Sequence, residues 1–366
     1  MSIRILHAAD LHMDSPFDGL SDTLAAQRRR EQRELLGRIV QAANEEKVDL
    51  VLFAGDLFDS DSAYKETKSA LEQALREISV PVLIAPGNHD CFGLHSPYAS
   101  MELPDNVYVF RSSTISGVEL PDLNVRVWGA AFTERNVDDL LSGFEISKRA
   151  GTVDVLLLHA DAMNPASPYC PVSESDIAHS GADYAAFGHI HSFSGLKKAG
   201  GTYYAWPGCT EGRGFDETGE KGVIIADVDC GRCELRFLPL AKRKYRIFRV
   251  DLTGAENALS AVTAALPEDT HSDVCRIVLS GETESAPDTE ALYSALSERF
   301  FTLSLRDETV LRRDIWEQCG EDSLRGLFLK RLRSLYDGAE TDERRAAVAR
   351  AVRWGLAAMD GGEEPR

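Results

Sequence analysis

The chain opens with the stretch Ile3-Arg-Ile-Leu-His-Ala-Ala-Asp10-Leu-His12, and this stretch guides the interpretation of the whole sequence. The apolar, β-branched run at its start predicts a short buried strand. Asp10 and His12 follow at the point where that strand should end. Because side chains two residues apart in an extended segment point to the same side, these two can converge on one metal ion.

Four further blocks of potential metal ligands lie along the chain, and each one also follows a predicted strand. They are Gly55-Asp56-Leu-Phe-Asp59, Gly87-Asn88-His89-Asp90, the single His159 after Val-Leu-Leu-Leu, and Gly188-His189-Ile-His191. Ligands gather beyond the carboxyl ends of strands in α/β sheets, and the glycines let the backbone turn tightly there. One such block would indicate an ordinary turn. Five together supply ligands for two metal ions that share one carboxylate.

The ordered set Asp-x-His, Gly-Asp-x-x-Asp, Gly-Asn-His-Asp, His and Gly-His-x-His resembles that of the calcineurin-like metallophosphoesterases. The opening His7-Ala-Ala-Asp-Leu-His-Met-Asp-Ser-Pro-Phe17 is similar to the SbcD-type DNA repair exonucleases, especially the bacterial YhaO-like branch. The segment Trp206-Pro-Gly-Cys-Thr-Glu-Gly-Arg-Gly-Phe-Asp-Glu-Thr-Gly-Glu-Lys-Gly222 resembles that branch as well. The resemblance implies an α/β fold, in which a β-sandwich is flanked by helices and the metals lie at one edge.

The resemblance also implies a set of ligands for two divalent ions. One ion would be held by Asp10, His12 and His191, the other by Asn88, His159 and His189, with Asp56 bridging them. Nitrogen-rich ligation favours manganese, with iron or zinc as alternatives, over magnesium, which prefers oxygen ligands. Paired ions of this kind split phosphate esters.

A catalytic role is implied for His89, which matches the family's catalytic histidine and is left without a metal. It would stabilise the phosphoryl oxygens and help the leaving group depart, and Asp90 would orient its ring. Asp59 departs from the pattern, because many SbcD-type nucleases carry histidine three residues after the bridging aspartate. Other phosphoesterases have aspartate there, so the departure concerns the handling of DNA rather than the fold or the metals.

The composition predicts a cytoplasmic protein with two or three domains. The 366 residues are 43% hydrophobic, which is enough for sizeable cores. The start Met1-Ser-Ile-Arg-Ile lacks the pattern of a signal peptide, and no apolar run approaches the roughly 20 residues that cross a membrane. Seven cysteines without a framework spacing indicate reduced thiols.

The net charge of −19 is unusual for a protein that binds nucleic acid, which normally carries a basic surface. The sequence has two basic clusters. Arg28-Arg29-Arg30 with Arg33 predicts a solvated helix face, and Lys242-Arg243-Lys244 with Arg246 is a candidate for contact with a DNA backbone. Arg213, in the glycine-rich loop after Trp206, would either reach a substrate phosphate or form a structural salt bridge.

We predict three parts: a metallophosphoesterase (nuclease) domain over 1–242, a cap domain over 243–310 and a helical segment over 311–366. Strands at 246–252, 274–279 and 301–305 and helices near 256–265 and 289–299 make the cap a small α/β domain. The helical segment carries two apolar stripes: Leu324, Leu327, Phe328, Leu332 and Leu335, and Val348, Val352, Leu356 and Met359. The stripes either pack on the protein itself or, as the SbcD-type resemblance implies, bind an SMC-like ATPase of the YhaN-like kind.

These expectations combine into a metal-dependent phosphodiesterase that acts on single- or double-stranded DNA ends together with an ATPase. One alternative is a phosphoesterase for a small nucleotide or a phosphoprotein, with the same metals and a different cleft. A second alternative is a metal-bound scaffold that mainly binds the ATPase, although the intact ligands and His89 argue against it. We predict no membrane partner, and the sequence is compatible with a homodimer.

Overall fold

The structure is a computed structural model and describes residues 2–359. The chain divides into two compact units, Met1–Lys244 and Tyr245–Arg366. The first boundary lies close to the predicted one at residue 242. The further division at residue 311 stays a prediction, and residues 360–366 of the predicted helical segment lie outside the described residues.

The first unit is built from two mixed sheets with helices around them. Its strands are β1 (Ile3–Ala8), β2 (Leu50–Phe53), β3 (Val82–Ile84), β4 (Val107–Val109), β5 (Ser116–Leu120), β6 (Val125–Gly129), β7 (Val153–His159), β8 (Tyr184–Gly188), β9 (Lys197–Ala199), β10 (Thr202–Ala205), β11 (Gly222–Asp229) and β12 (Arg232–Pro239). Its helices are α1 (Asp22–Glu45), α2 (Lys65–Glu77) and α3 (Glu174–Ser180), with 3₁₀ helices at Pro97–Ser100 and Pro121–Leu123.

The two sheets have the strand orders β12-β11-β1-β2-β3-β4 and β5-β6-β7-β8-β10-β9. Strands β1 to β4 pair in parallel in the first sheet, and β6, β7, β8 and β10 pair in parallel in the second. Parallel pairing brings the carboxyl ends of neighbouring strands to the same edge. The strands that precede the ligand blocks are therefore the ones whose ends lie side by side within each sheet.

The core shows why these strands form a sandwich. Alternate side chains of β1 point to opposite faces, as the pleat requires. Ile5 packs in the same buried cluster as Val155 of the second sheet. Leu6 packs in the cluster that contains Leu36 of α1 and Leu75 of α2. The predicted β-sandwich flanked by helices is confirmed.

The second unit is a small α/β body with helices at its carboxyl end. Its strands are β13 (Tyr245–Asp251), β14 (Val274–Ser280), β15 (Glu282–Thr283), β16 (Thr302–Asp307) and β17 (Val310–Leu311), and its helices are α4 (Ala258–Ala265), α5 (Thr289–Leu296), α6 (Leu324–Asp337) and α7 (Asp342–Met359), with 3₁₀ helices at Ser297–Arg299 and Arg313–Gly320. Strands β13, β14 and β16 form a parallel sheet. The three strands and two helices predicted for this region are thus confirmed.

The two C-terminal stripes divide between packing and exposure. Leu329, Val352 and Leu356 are buried together with Ile315, and Phe328 and Leu332 pack against them. Three leucines of the first stripe face outward, being 74%, 65% and 45% exposed: Leu324, Leu327 and Leu335. The stripes therefore pack on the protein itself in part, and binding of an ATPase by the exposed part stays a prediction. Within residues 2–359, none of the helices combines the length and the hydrophobicity needed to cross a membrane.

A buried ion network corrects the interpretation of one residue in each basic cluster. Arg28 is fully buried, so its place on a solvated face is wrong. Its guanidinium donates to Glu31 at 2.8 Å and to Glu211 at 2.7 Å. Arg243 is buried too and donates to both oxygens of Glu31, at 2.8 and 2.6 Å, so the DNA contact expected for Arg243 is wrong. The network ties α1 to the end of the first unit.

We predict that Glu31→Gln lowers the free energy of unfolding at pH 7 by about 3–5 kcal/mol, because it removes the carboxylate that pairs with buried Arg243 and one of the two that pair with buried Arg28. Burial alone would raise the pKa of Glu31, but the hydrogen bonds from Arg243 and Arg28 lower it to about 2. The contribution is therefore present above the unfolded pKa of about 4.3 and is lost as the pH falls toward 2. Urea unfolding of both proteins between pH 7 and pH 2 should show their difference shrinking below about pH 4.

The matched control is Glu34→Gln, one turn along the same helix, where the side chain is 58% exposed and faces Lys242 at 3.4 Å. An exposed pair of this kind contributes about 0–1 kcal/mol. Equal destabilisation by the two substitutions, or a Glu31→Gln deficit that stays constant down to pH 2, would contradict the assignment.

Candidate metal centre

The structure brings all five ligand blocks to one edge of the sandwich. Three sets of donor atoms each lie within 4.8 Å of one another: Asp10 with His12 and His191, Asp10 with Asp56 and His159, and His12 with Asp56 and His89. The remaining two predicted ligands adjoin them, since the Asn88 Oδ1 atom is 2.9 Å from His159 Nε2 and 3.3 Å from His189 Nδ1. The strand ends of the first sheet supply the donors between residues 10 and 89. Those of the second sheet supply His159, His189 and His191.

The backbone reaches this arrangement by turns rather than by extended segments. Asp10, His12, Asp56 and His189 have φ angles of 52°, 42°, 52° and 90°, which lie in the left-handed region. Asp10 and His12 do converge, but through left-handed turns. The alternation along a strand that we gave as the cause is therefore wrong. Left-handed backbone costs of order 1–3 kcal/mol per residue and persists where the surroundings impose it. Here the amide of His12 donates to Asp56 O at 2.9 Å.

Two glycines permit the close approach of the blocks. A Cβ atom on Gly87 would lie 2.3 Å from Asp56 Oδ1. A Cβ atom on Gly55, whose φ is +89°, would lie 2.5 Å from His159 Nδ1. A side chain at either position would push the donor atoms apart, so both positions require glycine.

The first donor group consists of Asp10, His12 and His191. The Nδ1 atom of His12 is 3.0 Å from Asp59 Oδ1, and that of His191 is 2.8 Å from Glu217 Oε1. Because an ionised carboxylate only accepts hydrogen bonds, we assign the proton of each ring to Nδ1. The two Nε2 atoms then face each other at 3.2 Å with their lone pairs, which repel unless a cation lies between them. This donor set fits a metal ion.

The second donor group consists of Asn88, His159 and His189. His159 Nδ1 contacts the Ala54 carbonyl at 2.9 Å, so its Nε2 atom faces Asn88 Oδ1 and Asp56 Oδ2, the latter at 3.3 Å. Burial alone would lower the pKa of His159, but Asp56 and Asp10 raise it to about 9. The negative potential that favours a proton at this site equally favours a metal cation.

Asp56 lies between the two donor groups. Its Oδ2 atom is 3.7 Å from His12 Nε2 and 3.3 Å from His159 Nε2, and its side chain is buried. The position agrees with a carboxylate that serves both groups. The residues of the described chain therefore fit a pair of divalent cations.

His89 and Asp90 differ from their predicted relationship. The His89 Nδ1 atom lies 3.0 Å from the backbone carbonyl of Asp59, so that carbonyl makes the ring-orienting contact we expected from Asp90. Asp90 is fully buried and accepts from the amides of Gly87 at 2.7 Å and Leu57 at 2.8 Å and from the Tyr98 hydroxyl at 2.5 Å. Burial and the nearby Asp56 raise the pKa of Asp90. Asp90 thus holds together the two loops that carry Asp56 and Asn88.

Three residues around the first donor group had no definite role predicted from the sequence. Glu217 was not singled out, and Asp59 was noted only as a departure from a pattern. Of the two alternatives predicted for Arg213, the structure has the salt bridge. Arg213 donates to Asp59 at 3.0 Å and to Glu217 at 2.7 Å. The Arg213-to-Glu217 spacing was visible in the sequence, but nothing local showed that Glu217 faces His191.

Comparisons with known proteins agree with this geometry. Residues 3–193 match the model of the family described as calcineurin-like phosphoesterase. A protein of Bacillus subtilis named as the uncharacterized metallophosphoesterase YhaO is 30% identical over 335 residues, which cover 86% of this chain and 80% of that protein.

Two archaeal proteins named DNA double-strand break repair protein Mre11 are also similar. That of Aeropyrum pernix is 28% identical over 281 residues, covering 72% of this chain and 67% of the relative. That of Saccharolobus solfataricus is 23% identical over 305 residues, covering 76% of each. The family match spans more than half of the chain and includes all seven candidate ligands. The chain belongs to the calcineurin-like phosphoesterase family.

Proposed function

We propose that the chain is a dinuclear metal-dependent phosphodiesterase that cleaves DNA, and that it works with an SMC-like ATPase. The observation that carries the proposal is the convergence of the two donor groups on Asp56. Asp10, His12 and His191 would hold one ion, and Asn88, His159 and His189 the other, with manganese the preferred metal and iron or zinc the alternatives. Such ions supply an activated water and neutralise charge on the phosphate.

The chain's own residues position the reaction around that centre. The backbone amide of His89 donates to Asp56 Oδ1 at 2.9 Å, which fixes the histidine beside the donor groups. With its Nδ1 held by the Asp59 carbonyl, His89 presents Nε2 for contact with a phosphoryl oxygen or the leaving oxygen. Asp90 keeps the loops of Asp56 and Asn88 in place through their backbone amides.

DNA as the substrate draws support from the two relatives that are named as double-strand break repair proteins. The net charge of −19 favours the rival proposal, a small nucleotide or phosphoprotein substrate, because DNA-binding surfaces are usually basic. An ATPase partner that contributes basic surface would reconcile the charge with DNA. The seven cysteines are free thiols, which agrees with the cytoplasmic location that we assign to this function.

The partner surface that we propose is the leucine face of α6, defined as Leu324, Leu327 and Leu335. These side chains are exposed although the same helix buries Leu329 in its own unit. An apolar helix face of this kind fits the helix of a coiled coil, which is the structure through which an SMC-like ATPase would be bound.

The function is tested by degradation of labelled single- and double-stranded DNA, beside hydrolysis of bis-nitrophenyl phosphate, with manganese and with or without the ATPase. We expect hydrolysis of the small diester by the chain alone and DNA degradation that increases when the ATPase is present. Hydrolysis of the small diester with intact DNA under both conditions would favour the small-substrate rival. Loss of both activities would favour the scaffold.

His89→Ala provides the catalytic prediction for that assay. We expect both metals to stay bound, while turnover of DNA falls by a factor on the order of 10²–10⁴, the usual loss when a positioned acid or base is removed. The loss should be smaller for bis-nitrophenyl phosphate, whose leaving group needs less proton donation. Metal analysis of the variant provides the control. His89 lies in one donor set with His12 and Asp56, so loss of an ion would show that His89 is itself a ligand.

Leu327→Asp tests the proposed partner surface. Leu327 is 65% exposed, so the substitution should leave the circular dichroism spectrum and diester hydrolysis unchanged. It should abolish co-purification with the ATPase, because it buries a charge in an apolar interface. Ala347→Asp, which introduces the same charge at an exposed position of α7, is the matched control. Co-purification that survives Leu327→Asp would show that the ATPase binds elsewhere.

A further inference from the structure

Arg213 lies between two carboxylates, and each of them is shared with a histidine of the first donor group. Its Nη1 atom is 3.0 Å from Asp59 Oδ1, the same oxygen that lies 3.0 Å from His12 Nδ1. Its Nη2 atom is 2.7 Å from Glu217 Oε1, the same oxygen that lies 2.8 Å from His191 Nδ1. One guanidinium group therefore connects both ring-holding carboxylates.

The side chains of this cluster are enclosed rather than solvated. Glu217 is 5% exposed, and Arg213 and Asp59 are each 21% exposed. Glu217 accepts from the guanidinium of Arg213, and its Oε1 atom faces His191 Nδ1. Because a carboxylate paired with arginine only accepts hydrogen bonds, Glu217 keeps the proton of His191 on Nδ1.

The backbone that carries Arg213 is anchored from behind. The carbonyl of the preceding Gly212 accepts from Arg28 Nη2 at 3.0 Å, and Arg28 itself is fully buried. The amide of Arg213 donates to Glu217 Oε2 at 2.8 Å, which closes the loop on itself. The guanidinium is thus presented from a fixed backbone rather than from a freely moving loop.

We propose that Arg213 is a positioning residue, which with Glu217 and Asp59 directs the Nε2 atoms of His12 and His191 toward one metal ion. The inference rests on the proposed metal centre and goes beyond it, because it assigns the affinity of one site to a group that touches no metal. The planar fork of arginine matches two carboxylates in fixed directions, whereas a lysine ammonium does not. The second donor group does not depend on this cluster, since His159 is held by the Ala54 carbonyl.

The test is a calorimetric titration of metal-free protein with Mn²⁺. The unaltered chain should show two binding events. Arg213→Ala and Glu217→Gln should each weaken one event by about 10–100-fold, the usual effect of removing a carboxylate or its partner behind a histidine ligand, and leave the other nearly unchanged. Arg213→Lys should remain weakened, because it keeps the charge but loses the fork. The nearly isosteric Glu217→Gln keeps the test valid should Arg213→Ala fold poorly.

Arg149→Ala is the control, because Arg149 also pairs with a carboxylate, Glu119 at 3.2 Å, but both side chains are more than half exposed. It should bind manganese like the unaltered chain. Manganese binding that is unaltered in Arg213→Ala, with a raised KM for bis-nitrophenyl phosphate, would assign Arg213 to substrate phosphate and overturn the proposal. Equal weakening of both events, or full recovery in Arg213→Lys, would overturn it as well. Absence of any binding by the unaltered chain would instead contradict the metal centre itself.

Discussion

The crowding of carboxylates and unshared electron pairs at one edge of the sandwich is the constraint on which the rest of the structure depends. Asp10 and Asp56 are almost completely buried, together with His12 and His159. Burying carboxylates and lone pairs side by side is unfavourable unless cations compensate them. The left-handed turns at the strand ends add to that cost. A fold that accepts both costs at one place fits the pair of cations that we propose for it.

Much of this could be predicted from the sequence because its signals are local. A strand end followed by aspartate or histidine is visible within about ten residues, and five of them define the edge of the sandwich. The burial of Arg28 could not be predicted, because its partner Glu211 lies 183 residues away. The same holds for Glu217, which meets His191 through the path of a loop. The contacts of Asp90 with the amides of Leu57 and Gly87 were missed because no side-chain pattern reveals contacts to the backbone.

The donor groups and the exposed leucines of α6 belong to different units of the chain. The donor groups, His89 and the Arg213 cluster all belong to the first unit and form a continuous set of hydrogen bonds. Such a centre would hydrolyse many phosphate esters, because it recognises little more than the phosphate. The second unit carries the exposed leucines and no donor set among its described residues. Under the proposed function, partner binding, and through it the choice of DNA, would rest on features outside the centre.

The most direct test of the account is an anomalous difference map from crystals of the protein grown with manganese. A dinuclear centre should give two peaks about 3.5–4 Å apart. Asp56 should lie between them, with His12 and His191 at one peak and His159 and His189 at the other. A single peak, or two peaks that Asp56 does not join, would contradict the dinuclear centre.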